Sequence, residues 1–419
     1  MGETSLTKKT TRLRVSLILA VTLLLLTACA ASATAGPTPT PGNVIRIYSS
    51  LPDSGSSKAQ TDTMINAMKL AVEQVNSQTG SFKIEYLPLD DAAATDGMVD
   101  AGQEAANAGK AANDSAAMVY IGAFDSNAAK VAIPILNKAG IVLLSPVNSY
   151  PGFTHAVAGL TKDGEPGQYY PSGPRNYVHL VPTDDLQGPV DASYTATRLH
   201  AKSVYVVEDG RGYGVSLAKA YEQAAPEDNL NVLGHASITD RAADYKATAL
   251  KIKAAAPDAI FYAGNDPQQA GRFLTEIRAA ELKIPFLGSE GIQDDLFLKT
   301  IGPTVRGVFS SIGIVDTANL PQKGQDFLKT YKAKYGDTVQ PYTAYAHECM
   351  QVALYAINKA GKKDRLAILQ TVANLKDFDG VLGKWSFDSN GDTTQSIFSF
   401  YTARNGSWVF DSNVNAGAE

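Results

Sequence analysis

Clusters of small polar and acidic residues stand directly behind short apolar runs of this chain. The run ending at Gly122 leads into Asp125-Ser126-Asn127, and the run ending at Leu144 into Ser145-Pro146-Val147-Asn148-Ser149. Val181 is followed by Thr183-Asp184-Asp185-Leu186-Gln187-Gly188, and Val207 by Glu208-Asp209 and then Tyr213-Gly214. Tyr262 leads to Asn265-Asp266, and Leu287 to Ser289-Glu290-Gly291. Such residues recognise by hydrogen bonds and one or two charges. Ser126, at a helix start, can offer a hydroxyl and backbone N–H groups to an anion, helped by the helix dipole. Asn148 and Ser149 can add donors from the next run, and Glu290 can accept an ammonium group. Together they fit an α-amino-acid zwitterion. Each also fits a plainer role: Ser126 as a helix cap, Ser149 in a turn before Pro151, Glu290 as a solvated surface acid.

Bond-making chemistry finds less support. His347-Glu348-Cys349 begins like a zinc-protease helix, but position 351 is Gln and the second His is missing. Gly212-Tyr213-Gly214 lacks the third glycine of a dinucleotide loop, and neither a phosphate-binding Gly-Lys-Ser/Thr run nor a Gly-x-Ser-x-Gly elbow occurs. The 5 His have no metal or triad spacing. No catalytic residue, cofactor or metal is expected.

The elements that would position these residues follow from periodicity. Strands are expected at residues 44–48, 82–87, 118–121 and 141–144, separated by helices. The first helix carries Met64, Ile65, Met68, Ala71, Val72 and Val75 on one 3.6-residue face; the next two span 96–112 and 126–138. Residues 149–176 are rich in Gly, Pro and Tyr and read as a long loop. Alternation then restarts, with strands at 177–181, 203–207, 231–235, 259–262, 284–287 and 307–312. The helices between them are expected at 186–200, 213–225, 245–255 and 267–280. Two or three helices between Pro321 and Leu375 follow, then β segments near Trp385, Phe398 to Tyr401 and Trp408. Repeated βαβ units mean parallel sheets covered on both faces. In such sheets ligands bind at the carboxyl ends of the strands, where the polar clusters lie. Two sets in tandem imply an α/β fold of two lobes with a cleft between them.

Composition agrees. The chain has 419 residues, 44% hydrophobic and 19% charged, so wholesale disorder is excluded. A net charge of −5 leaves no strongly basic face for nucleic acid. The 2 Cys exclude a disulfide scaffold. Lys8, Lys9, Arg12 and Arg14 precede an apolar run of 12 residues, 15–26, which has the anatomy of a secretory signal and is short for a spanning helix. Leu26-Thr27-Ala28-Cys29 resembles the bacterial lipobox. That resemblance implies a signal peptide over 1–28 and a diacylated Cys29; a signal cut elsewhere is the alternative. Loss of that leader would take the net charge to −8. Residues 30–42 are Ala, Ser, Thr, Pro and Gly alone, so 29–43 reads as a flexible tether. Cys349 is then expected to be a buried structural thiol.

Several stretches, in order, resemble the type I periplasmic binding protein family, in its leucine/isoleucine/valine-binding branch. They are Ile141-Val142-Leu143-Leu144-Ser145-Pro146, Asp185-Leu186-Gln187-Gly188-Pro189, Tyr213-Gly214, Phe261-Tyr262-Ala263-Gly264 and Phe286-Leu287-Gly288-Ser289-Glu290-Gly291. Gly380-Val381-Leu382-Gly383 followed by Phe387-Asp388 is similar to the family's tail. The resemblance spans nearly all of 44–410. It implies two Rossmann-like lobes joined by three crossover strands, one of residues 44–181 plus 315–396, the other of 182–314 plus 397–419. It places Ser126, Asn148 and Ser149 on a ligand carboxylate and Glu290 on its ammonium. Asn265 falls where an aromatic often lies over the ligand, and Ser56-Ser57-Lys58 departs from a commoner apolar pattern. A branched aliphatic ligand therefore does not follow. The implied protein is a monomeric, lipid-anchored receptor outside the cytoplasm that hands an amino acid, of branched-chain type or a similar small zwitterion, to an ABC permease. A sensor of the same fold and an exported hydrolase are the alternatives.

Overall fold

The computed structural model describes residues 42–93, 98–238 and 244–417. The expected signal peptide, Cys29, most of the expected tether and the expected helix start at residue 96 lie outside them. The first lobe is built on β1 (Val44–Leu51), β2 (Gln78–Thr79), β3 (Phe82–Asp90), β4 (Ala117–Ile121), β5 (Val142–Ser145) and β6 (Tyr177–His179), with helices α1 (Lys58–Gln74), α2 (Ala101–Asn113) and α3 (Ser126–Ala139) between them. The strand order is β2-β3-β1-β4-β5-β6, parallel except for the short β2. Every residue of β4, Ala-Met-Val-Tyr-Ile, is buried, as a strand covered on both faces requires. One apolar layer packs Ile45, Ile47 and Val119 against α1; the other packs Tyr120, Leu143 and Tyr177 against α3.

The second lobe begins at α4 (Asp184–Thr197) and continues through β7 (Ser203–Glu208), α5 (Gly212–Ala224), β8 (Asn231–Ser237), α6 (Lys246–Ala255), β9 (Ala259–Ala263), α7 (Pro267–Ala279), β10 (Phe286–Gly288), α8 (Asp295–Ile301) and β11 (Val308–Ile312). Three helices follow, α9 (Gln322–Tyr335), α10 (Thr343–Ala360) and α11 (Arg365–Ala373), and they pack on the first sheet. A small antiparallel hairpin, β12 (Phe378–Gly380) and β13 (Gly383–Trp385), stands apart from both sheets. The chain then returns to the second sheet as β14 (Ile397–Arg404) and β15 (Ser407–Asn415), in the order β15-β14-β11-β10-β9-β7-β8. The core of that sheet is parallel; β14 runs antiparallel to β11, and β15 runs antiparallel to β14.

The periodic reading places most elements to within a few residues. The helix expected from residue 96 starts at Ala101, because Asp100 caps it by accepting from the Gln103 N–H. The strand expected at 284–287 is the three-residue β10, and α8, for which no helix was expected, occupies the gap before β11. Cys349 is fully buried in α10 as a free thiol.

Three crossovers join the lobes. The first runs from β6 to α4, the second leaves β11, and the third precedes β14. The second is fastened on both sides: the Tyr345 hydroxyl accepts from the Val315 N–H at 3.0 Å, and the Tyr401 hydroxyl donates to Asp316 at 2.7 Å. Where the first and third meet, Asp392 sits between His155 at 2.9 Å and His179 at 2.6 Å, and His155 also reaches Asp185 at 3.3 Å. The two carboxylates raise the His155 imidazolium pKa to about 10.

Candidate functional site

The carboxyl ends of both sheets meet across a cavity of about 40 Å³. That space holds roughly three water molecules, so the two walls stand close together. A Cβ added at Gly212 of α5 would lie 2.8 Å from the Asn127 side chain of α3, which measures how near the walls come. The first wall presents Ser57 and Gln60 after β1, Phe124 and Ser126 after β4, and Val147, Asn148 and Ser149 after β5. The second presents Tyr213 after β7, Asn265 and Pro267 after β9, and Glu290, Gly291, Gln293 and Asp294 after β10; Tyr342, just before α10, completes the lining. Ser126, Asn148, Ser149, Asn265 and Glu290, far apart in sequence, thus share one cavity. Lys58 does not line it and instead pairs with Asp53 and Asp62 at 2.6 and 2.8 Å.

The donor side is built on the start of α3. Its cap is Asp125, whose carboxylate accepts from the Asn127 N–H at 2.7 Å. Ser126 is therefore not the cap; it is the first residue of the helix, buried, and lines the cavity. Asn148 is anchored through its backbone N–H, which donates to the Ser145 hydroxyl at 2.9 Å. Its side-chain Nδ2 is buried and has no hydrogen-bond partner. A donor left so costs about 1–3 kcal/mol until something accepts from it. Ser149 is buried and holds the first crossover, its carbonyl accepting from the Asp184 N–H at 2.9 Å.

The acceptor side centres on Glu290, which is not a surface acid. It is shielded from bulk solvent yet open to the cavity. Burial raises its pKa, and the Tyr213, Gln187 and Tyr342 side chains pull it back. Gln187 donates to its Oε2 at 2.9 Å, while the Tyr213 hydroxyl lies near it outside hydrogen-bond geometry. Behind it Asp184 is fully buried, and burial pushes its carboxyl well above the usual range. Among the described residues no Lys, Arg or His lines the cavity.

The supporting loops interlock. Asp209, pushed up to about 6 by burial, accepts from the Asn265 N–H at 2.9 Å and the Arg211 N–H at 3.0 Å, tying the β7 and β9 loops together. A Cβ on Gly291 would overlap the Gly264 carbonyl oxygen and lie 2.7 Å from the Asn265 Cα, so only glycine lets the Glu290 turn close on its neighbour. Gln187 and Tyr213 stand within polar clusters visible in the sequence, where nothing marked them as partners of Glu290. Tyr342 carried no sequence signal at all: it precedes a buried helix of the tail and reaches the cavity only because α10 packs on the first lobe.

The family model described as periplasmic binding protein matches residues 44–407. A Leu/Ile/Val-binding protein homolog 2 of Brucella abortus is 26% identical over 358 residues, covering 85% of this chain and 89% of that protein. A leucine-binding protein of Thermotoga maritima superposes with a TM-score of 0.77 at 21% identity, covering 88% of this chain and 99% of that one. The branched-chain amino acid transporter substrate-binding protein of Streptococcus pneumoniae, in complex with isoleucine, superposes at 0.73 with 23% identity and covers 88% and 100%. These relatives are binding proteins rather than enzymes. Among the described residues no helix is long and apolar enough to cross a membrane.

Proposed function

Since the chain belongs to the periplasmic binding protein family, we propose that it is an extracytoplasmic receptor that captures an α-amino acid, or a similarly small zwitterion, between its lobes. One observation carries the reading: an unpartnered buried donor, Asn148 Nδ2, and the start of α3 at Ser126 line the same cavity as the acid Glu290, with no basic side chain between them. Ser126, Asn148 and Ser149 hold the ligand carboxylate with hydrogen bonds and the helix dipole. Glu290, kept ionisable by Gln187, holds the ammonium. Asn265 covers the ligand from the second lobe.

The mechanism needs no covalent step. Residues 44–181 with 315–396 act as one lobe, and 182–314 with 397–419 as the other. The lobes part at the three crossovers to admit ligand, and contacts from both sides stabilise the closed state through their differential affinity for it. The protein works as a monomer held at the membrane by a lipidated Cys29 and delivers its ligand unaltered to an ABC permease. Isothermal titration calorimetry against the proteinogenic amino acids tests the capture step: micromolar or tighter binding of at least one is expected, and no binding at millimolar concentration refutes it. Movement of a Cys29→Ser variant from the membrane fraction to the soluble fraction tests the anchor.

A further inference from the structure

Resting on the amino-acid reading above, we propose that the ligand carries a side chain that donates hydrogen bonds, not a branched aliphatic one. Once the two charged ends of a zwitterion are accounted for, the wall still exposes Gln60 from α1, Asn265 ahead of α7, and Gln293 and Asp294 ahead of α8. Two of these offer acceptors. The Gln293 Oε1 is buried with no hydrogen-bond partner, while the Gln293 side chain leans on the Tyr401 hydroxyl. Asp294 uses one carboxylate oxygen to cap α8, accepting from the Leu296 N–H at 2.6 Å, and lines the cavity beside it.

An isobutyl or sec-butyl group laid against these atoms would leave them without hydrogen-bond donors. A site built to hydrogen-bond its ligand rejects the analogue that lacks the group far more strongly than an apolar pocket rejects a missing methylene. A hydroxyl or carboxamide donates to the same acceptors. Phe124 and Val147 remain to cover a methylene or methyl. Serine, threonine, asparagine and glutamine are the class that meets these demands.

The test is calorimetry and thermal shift on the purified protein. The panel is serine, threonine, asparagine and glutamine against leucine, isoleucine and valine, with propionate and benzoate as acids lacking the ammonium. At least one hydroxyl or amide amino acid should bind tenfold or more tightly than any of the three aliphatic ones. In the double variant Gln293→Leu, Asp294→Ser, which keeps a capping side chain at the start of α8, that preference should shrink at least tenfold or invert, with circular dichroism confirming the fold. Gln293→Leu provides the same reading should the double variant misfold. Aliphatic amino acids binding as tightly as the polar ones would overturn the side-chain inference and leave the amino-acid reading standing. A polar preference unmoved in the folded variants would overturn its assignment to this wall. Silence across the amino acids of this panel would overturn the side-chain inference, and binding of propionate or benzoate alone would overturn both readings together.

Discussion

Replacing Glu290 by glutamine keeps the shape of the side chain and removes its charge. The carboxylate accepts from Gln187 at 2.9 Å and lines the cavity, where a bound ammonium can approach it to hydrogen-bond distance. Two unit charges about 3 Å apart at an effective dielectric near 20 attract by roughly 5 kcal/mol. Part of this is offset by desolvating both ions, and the amide retains one hydrogen bond. The expected loss is therefore about 2–4 kcal/mol, or roughly 30- to 1,000-fold in Kd. Stability should move the other way. Burial raises the Glu290 pKa in the empty protein, so the charged form is under strain there, and a neutral isostere holds or raises the unliganded Tm. Calorimetry at pH 7 and a melting curve with and without ligand read both quantities. A Kd within threefold of the natural protein would refute the role of Glu290. A fall in unliganded Tm would refute the argument about its buried charge.

Ser126→Ala should weaken ligand binding by about 1–3 kcal/mol with little change in unliganded Tm, because Asp125 caps α3; an unchanged Kd would reject the contact. Asp125→Ala should instead cost about 0.5–2 kcal/mol of stability in chemical denaturation. Gly291→Ala should destabilise by about 1–3 kcal/mol, since its methyl would run into the backbone of Gly264 and Asn265; an unchanged denaturation midpoint would show that the turn has room. His155 gains its raised pKa, about 10, from Asp185 and Asp392. Its stabilisation is thus fully present below the ordinary histidine pKa of about 6.5 and is lost as pH rises through 10. Discounted for partial exposure, the loss is about 1–3 kcal/mol. Denaturation at pH 6 and pH 10 should show it in the natural protein and not in His155→Gln, a difference that also subtracts the similar change at His235, whose pKa is about 9.

The helices and strands were legible where the pattern was long or fully apolar. β4 and β9 are unbroken apolar runs because both faces of a central parallel strand are covered. The face of α1 repeats at 3.6 residues because one side packs on the sheet. α8 was not legible, since its 7 residues are too few to show a period. The helix start at Ser126 was visible, but which residue caps it was not: Asp125 and Ser126 are both good caps by type, and only backbone geometry separates them. Glu290 stood out as a lone acid after a strand, whereas its partner Gln187 is 103 residues distant and has no local mark.

By itself the sequence determined the alternating architecture, the sheet edge on which polar residues collect, and the absence of a recognisable catalytic spacing. Those properties are local: each depends on residues within a strand, a helix or the turn between them. The tertiary structure alone decided that Ser126, Asn148, Asn265, Glu290 and Tyr342 line one cavity, that Asn148 is left with an unpartnered donor, and that His155 joins two crossovers through Asp185 and Asp392. Burial and long-range proximity give these groups their energies, and neither is a property of neighbouring residues. The types at a site can be read along the chain; their charge states and partners exist only once the lobes have packed.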